Sequence, residues 1–262
     1  LEENELKYIY GPVRSRRLGF SLGITTIPRK VCSFNCVYCE VGRTTTLTTE
    51  RKEYVQREEV VAELKEFLAK YRGPLDHITF SGLGEPTLNS EIGYMISEIK
   101  KLTSVPVAVL SNGSLISRDD VKHDLLNANI VKFTLNAANS AEYININQSD
   151  PSIQLDAVIK GIIDFRKEFR GELWIEILLV RGLNDSERNY LALRKALGMI
   201  RPDQVHLNTV VRAPALKIAT PLSMLELRQA KMLIGNGAEI IATKPSISVR
   251  HNMAPSTLFA NS

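Results

Sequence analysis

Three cysteines stand within eight residues, in the run Val31-Cys32-Ser33-Phe34-Asn35-Cys36-Val37-Tyr38-Cys39, and they are all the cysteine the chain has. An odd number so closely spaced builds no paired disulfide framework. What is left is metal binding, in a reducing compartment. The C-x3-C-x2-C spacing cannot sit on one helical face, but a short loop can wrap the three thiolates around a cuboidal cluster. A [4Fe-4S] cluster normally takes four Cys thiolates. Three leave one iron without a protein ligand, and an open metal position is where chemistry occurs, as at catalytic zinc. Three non-enzymatic alternatives stand beside this, one of them unligated core cysteines, which would rarely cluster this way. A Cys3His zinc site needs a histidine, and His77, His123, His206 and His251 are all distant and show no finger spacing. A ferredoxin-like carrier normally brings a fourth cysteine.

Such a loop needs a scaffold, and the sequence after it alternates. Apolar periodicity predicts helices over 55–70, 92–102, 117–126, 155–169, 185–200 and 222–234. Ser117 is a candidate cap for the third, and Asp185 or Ser186 for the fifth. Short β-rich runs predict strands over 18–25, 77–81, 105–110, 130–135, 173–180, 205–211 and 239–243. The polar stretch 44–49 reads as a loop. Strands alternating with helices imply βαβ units and a parallel sheet, with about six βα units. Right-handed crossovers allow a doubly wound or a barrel-like sheet. In either, the site lies at the C-terminal ends of the strands.

The chain has 262 residues, 44% of them hydrophobic, enough for one sizeable core. No apolar run approaches the roughly 18 to 20 residues that span a membrane. No basic-then-apolar leader opens it, so a cytoplasmic protein is expected. The net charge is +4. Between Tyr10 and Lys52 eight basic residues face two acidic ones, Glu40 and Glu50. That excess points either to a solvated face or to an anionic substrate such as RNA.

At the cysteine loop the chain resembles the radical S-adenosylmethionine (SAM) superfamily, whose signature is C-x3-C-x2-C with an aromatic before the last cysteine. The resemblance covers nearly the whole chain. It implies a partial (β/α)6 TIM-like barrel with parallel strands and the cluster loop near the N-terminus, over a core of residues 1–243 with a C-terminal extension or cap at 244–262. Ser81-Gly82-Leu83-Gly84-Glu85-Pro86 resembles the family's Gly-Glu-Pro turn, with Leu83 inserted between the glycines. In the family that turn holds the amino group of the SAM methionine. A glycine turn exposes backbone carbonyls, and Glu85 supplies a negative charge for an ammonium. Asn112 and Asn136 follow the third and fourth strands, where the family places polar SAM contacts; many relatives carry Asp at the latter. Val180 opens a turn resembling the one near adenine, and Tyr38 is expected beside that ring.

The resemblance implies a [4Fe-4S] cluster on Cys32, Cys36 and Cys39, with SAM chelating its open iron. A flavodoxin or ferredoxin would reduce it, and a 5′-deoxyadenosyl radical would then abstract hydrogen from the substrate. No acid–base residue is needed to start that reaction. The segments 10–19, 40–45 and 205–209 resemble a wyosine-synthetase-like subgroup, whose true wyosine synthases modify tRNA and carry a second cysteine triad that this chain lacks. The substrate is expected to be RNA or an anionic small molecule, with Asn208, Arg212, Arg181, Arg14, Arg16 and Arg17 as candidate contacts. The rival enzyme reading is an activase or modifier of a partner protein.

Overall fold

The computed structural model describes residues 6–235 and 237–241. In chain order its strands are β1 (Ile9–Ser15), β2 (Gly19–Thr25), β3 (Val31–Cys32), β4 (Thr46–Leu47), β5 (His77–Ser81), β6 (Val107–Ser111), β7 (Ile130–Thr134), β8 (Glu172–Leu179), β9 (Gln204–Thr209) and β10 (Glu239–Ile240). Its helices are α1 (Arg57–Lys70), α2 (Ile92–Leu102), α3 (Asp119–Leu125), α4 (Ser140–Asn147), α5 (Leu155–Glu168), α6 (Glu187–Ile200) and α7 (Met224–Ile234). One sheet runs β1-β2-β5-β6-β7-β8-β9-β10. From β2 onward every pairing in it is parallel, and β1 pairs antiparallel with β2. The parallel α/β reading therefore holds.

The sequence reading missed three features. Strand β1 is absent from it, because Gly11, Pro12 and Arg14 break the β pattern. Strand β4 lies inside the polar stretch expected to be a loop. Helix α4 is only eight residues long, its apolar residues Ala141, Tyr143, Ile144 and Ile146 fall on no single face, and it is capped by Asn139, whose side chain accepts from Glu142 N–H. One cap also differs. Ser117 does not cap α3; Arg118 stands at its N-cap with no side-chain bond, and Asp119 and Asp120 face the helix dipole instead. Ser186 does cap α6, and Ser223 forms a capping box with Glu226 at α7. The expected boundary at 243 and the cap at 244–262 lie outside the described residues.

Each parallel strand has two unlike faces. Leu22, Ile24, Ile78, Phe80, Val107, Val109, Val131, Phe133, Ile175 and Leu207 face the helices and make the main core. The other face is mostly polar. A small apolar floor of Leu18, Ala108, Ile130 and Trp174 closes its N-terminal end. Above the floor lie Ser21 and Thr79, bonded at 2.6 Å, then Lys132, Glu176 and Asn208. Buried parallel strands usually read as continuous apolar runs, so this departure marks an interior with a purpose.

The sheet is rolled. Arg17, in the β1–β2 turn, bonds Glu176 of β8, and Arg16 bonds the carbonyl of Ile241 just past β10. Flat strands about 4.8 Å apart would hold β2 and β8 about 19 Å apart, and the two edges about 34 Å. Only a sheet curved into a partial barrel lets these side chains touch.

Glu176 is the hub of that closure. One oxygen accepts from Arg17 and from Asn208 Nδ2, and the other accepts from Lys132 Nζ at 2.7 Å. Burial alone would raise its pKa, but Lys132 and Arg17 outweigh burial and hold it well below the usual carboxylate range. A carboxyl lowered on folding adds stability above its unfolded pKa and loses it as pH falls through the folded one. Glu176→Gln leaves two buried cations without their carboxylate and should cost about 3–5 kcal/mol. The measurement is the urea midpoint at neutral pH, and an unchanged midpoint would mean the cations are satisfied elsewhere.

Candidate active site

The cysteine loop is held by backbone bonds on both sides. Cys32 ends β3, which pairs parallel with β4, and Thr48 N–H bonds the Cys32 carbonyl at 3.1 Å. Farther along, Asn35 N–H bonds Asn147 O at 3.0 Å and Val37 N–H bonds Ile146 O at 3.1 Å, both on α4. Phe34 packs edge-on against Tyr143 of the same helix. Thr44 closes the loop, its hydroxyl bonding Phe34 O at 2.6 Å and its N–H bonding Asn35 Oδ1 at 2.9 Å. A helix invisible in the sequence pattern is thus the loop's main anchor.

Cys32 is buried, while Cys36 and Cys39 are half-buried and unpaired. Burial pushes the Cys32 thiol up to about 11 and the Cys36 thiol higher still. Each of these thiols lies in the electrostatic field of the other cysteines, and the Lys30 ammonium bonds the Cys39 sulfur. Three cysteines on one short loop, with the Lys30 ammonium close by, suit the thiolate ligation of an iron–sulfur cluster.

The glycine turn abuts this loop. A Cβ on Gly84 would stand 2.0 Å from the Val31 carbonyl, and Gly82 has φ +114°. Glu85 N–H bonds Val31 O at 3.3 Å. Pro86 then opens a short 3-10 turn over 86–88. The buried Glu85 carboxylate accepts from Thr87 N–H, the Thr87 hydroxyl, the Ser111 hydroxyl at 2.8 Å and Asn112 N–H at 2.7 Å. All four donors are neutral, and among the described residues no cation pairs with it. Asn112 is oriented by Ser114 N–H on its Oδ1, so its amide donates to Ser33 Oγ at 2.9 Å and toward Cys32 Sγ at 3.6 Å.

Asn136 is fully buried and engaged. Its Oδ1 accepts from Leu178 N–H, and its Nδ2 donates to the Tyr38 hydroxyl at 2.6 Å and to Asn147 Oδ1 at 3.1 Å. Both amide protons are committed within the protein, while Oδ1 has one lone pair beyond the Leu178 bond. The residue is a strut for Tyr38. Val180 has its N–H on Asn184 Oδ1 and its carbonyl inside its own turn, so it presents a side chain and no free backbone group. That side chain packs with Val37, Ile146 and Ala219, beside Tyr38.

The candidate substrate residues scatter. Asn208, Arg17 and Arg16 turn into or across the barrel interior. Arg212 pairs with Glu40, and Arg181 with Glu226 on the outer surface. Arg14 is exposed on β1. Arg51, part of the basic excess, is buried in a clamp on Asp120 and Asp124. Sequence reasoning passed over Lys30, Lys132, Asn147 and Glu176. Charged residues in mid-strand were the available signal for Lys132 and Glu176.

A rolled parallel sheet with a three-cysteine loop and a Gly-Glu-Pro turn at its strand ends defines a known class of enzyme. The Radical SAM superfamily model matches residues 26–193, and this chain belongs to that superfamily. More narrowly, the chain is similar to a UPF0026 protein of Synechocystis sp., 33% identical over 249 residues that cover 91% of this chain and 92% of that one. It is also 38% identical over 242 residues to a protein of Brachyspira hyodysenteriae named GTPase Obg; the match covers 92% of this chain but spans only 35% of that protein's length. A radical SAM methyltransferase structure from Sphaerobacter thermophilus has the same fold, with TM-score 0.66 at 19% identity over 84% of this chain and 65% of that one.

The Gly84 contact gives a direct test. Gly84→Ala must push the turn off Val31 and should destabilise the fold by about 1–3 kcal/mol. It should also lower iron retained per chain after anoxic reconstitution. Full iron retention at wild-type stability would show that the turn does not seat the loop.

Proposed function

We propose that this chain binds a [4Fe-4S] cluster through Cys32, Cys36 and Cys39 and cleaves SAM reductively, acting on RNA or an anionic small molecule. The observation that carries this reading is the meeting of the three thiols, the Gly82–Pro86 turn and Asn112 at one end of the barrel. When bound, the cluster supplies the electron that turns SAM into methionine and a 5′-deoxyadenosyl radical, which takes a hydrogen atom from the substrate.

The chain's own groups have distinct parts. Gly82 and Gly84 bring backbone close to the loop, and Pro86 fixes the turn's exit. Glu85 is a buried negative charge answered only by neutral donors, which suits the methionine ammonium. Asn112 steadies Cys32. Tyr38 offers an apolar face for adenine, backed by the buried Val180 cluster, and Asn136 holds the Tyr38 hydroxyl. A flavodoxin or ferredoxin is the proposed donor, and the cytoplasm the proposed setting. Among the described residues no helix is long and apolar enough to cross a membrane. The finer kinship, with wyosine-synthetase-like proteins, rests on the three similar segments. Exposed Arg14 and Arg43 lie in or beside two of them and support an RNA contact.

The test is anoxic reconstitution. The chain should turn brown, bind about four irons, and form 5′-deoxyadenosine from SAM and dithionite. Each Cys→Ala change should abolish that product. A colourless, zinc-loaded protein that leaves SAM intact would overturn the proposal. Competition by tRNA against product formation then separates RNA from other substrates.

A further inference from the structure

Among the described residues, two buried cations of the barrel interior, Lys132 and Arg17, share one buried carboxylate, Glu176. Their side chains are only 9%, 17% and 10% exposed, respectively. A further carboxylate in the same field, Glu239 on β10, is solvent-exposed and forms no ion pair among the described residues. A buried surplus cation is costly unless an anion meets it.

A second, independent feature lies next to it. His206 is the register partner of Glu176 across β8 and β9, so its ring enters from the same face. It is 3% exposed. Its Nε2 meets Gln204 Oε1 at 3.0 Å, while its Nδ1 has no partner. Donors also remain on the cations. Arg17 uses NH1 on Glu176, and Lys132 uses two of its three protons, on Glu176 and Thr134.

The two ends of this polar face differ in cover. Leu18, Ala108, Ile130 and Trp174 seal its lower end. Toward the strands' C-terminal ends the interior-facing Thr25, Ser81, Leu110, Thr134 and Leu178 are only half-buried. The charged group is therefore reached from the cysteine-loop side.

We propose that the barrel interior binds a small molecule by its carboxylate or phosphate group, held between Arg17, Lys132 and the His206 ring. His206 Nδ1 accepts from an acid hydroxyl, or donates once the anion draws a proton onto the ring. Lys132 lies four residues below Asn136, about 13 Å at 3.3 Å per residue. A small molecule anchored at that depth can extend upward to the loop. An RNA backbone phosphate would have to descend that distance inside the rolled sheet. The inference thus deepens the radical-enzyme reading, on which it rests for its purpose, by choosing the small anion over RNA.

The test uses the full-length, cluster-loaded chain with 15N-labelled histidine. Inorganic phosphate, acetate and a short single-stranded RNA are titrated separately, and the imidazole 15N signals are followed. Phosphate or acetate should shift one signal saturably, and His206→Gln should remove that signal. Whichever anion saturates identifies the acid class. Arg17→Gln keeps the Lys132–Glu176 pair and should weaken binding roughly tenfold or more. Calorimetry on His206→Gln gives the same readout should Arg17→Gln fail to fold. Unmoved His206 signals, undiminished binding in the variants, or a shift by RNA alone would overturn the proposal. Because 5′-deoxyadenosine formation is assayed apart, a failure of SAM cleavage leaves the anion result legible.

Discussion

A carboxylate surrounded by cations at the centre of a rolled sheet governs what this chain can be. Glu176 is desolvated, which works against its charge, yet Arg17 and Lys132 more than offset that cost. Arg17 arrives from the β1–β2 turn and Lys132 from β7, so one residue links the first hairpin, β7 and β8. Without that meeting the interior would be a pocket of repelling cations. With it, the strand ends are brought into an arc, and the loops that follow them converge.

The upper end depends on backbone more than on side chains. The cysteine loop is fixed by carbonyls and amides of α4 and β4, and by a glycine that tolerates contact with the Val31 carbonyl. Buried amide side chains finish the frame. Asn136, Asn184 and Asn189 bond one another's main chain beneath the loop, with Asn189 Nδ2 on Asn136 O at 3.1 Å. Such networks specify one arrangement because each unmet group would be costly in the interior. The positions of the thiols are therefore set before any cofactor arrives.

Much of this was legible in the sequence, for physical reasons. The helix-facing halves of the strands and helices are strongly apolar, so their periods located α2 to the residue and most others within two or three. The thiol spacing marked the loop. What escaped was set by partners far along the chain. Helix α4 is short, without an amphipathic period, and is held by capping and by its bonds to the loop. Strand β1 is assembled by pairing with β2 despite Gly11 and Pro12. The bonds of Asn136 to Tyr38, Asn147 and Leu178 could not be foreseen from its position in the chain. The arginines looked like one basic strip, and folding sent Arg17 inward, Arg51 into a clamp and Arg14 to the surface.

A sheet that curls without closing keeps two edges, and exposed edges invite strand addition from other molecules. Here each is blunted. β10 is two residues long. β1 carries a register break between Tyr10 and Val13, Pro12 with no N–H to donate, and an exposed Arg14. Neither border offers a straight, regular ladder of free amides. Among the described residues, the seam between these two edges is thereby a poor template for aggregation.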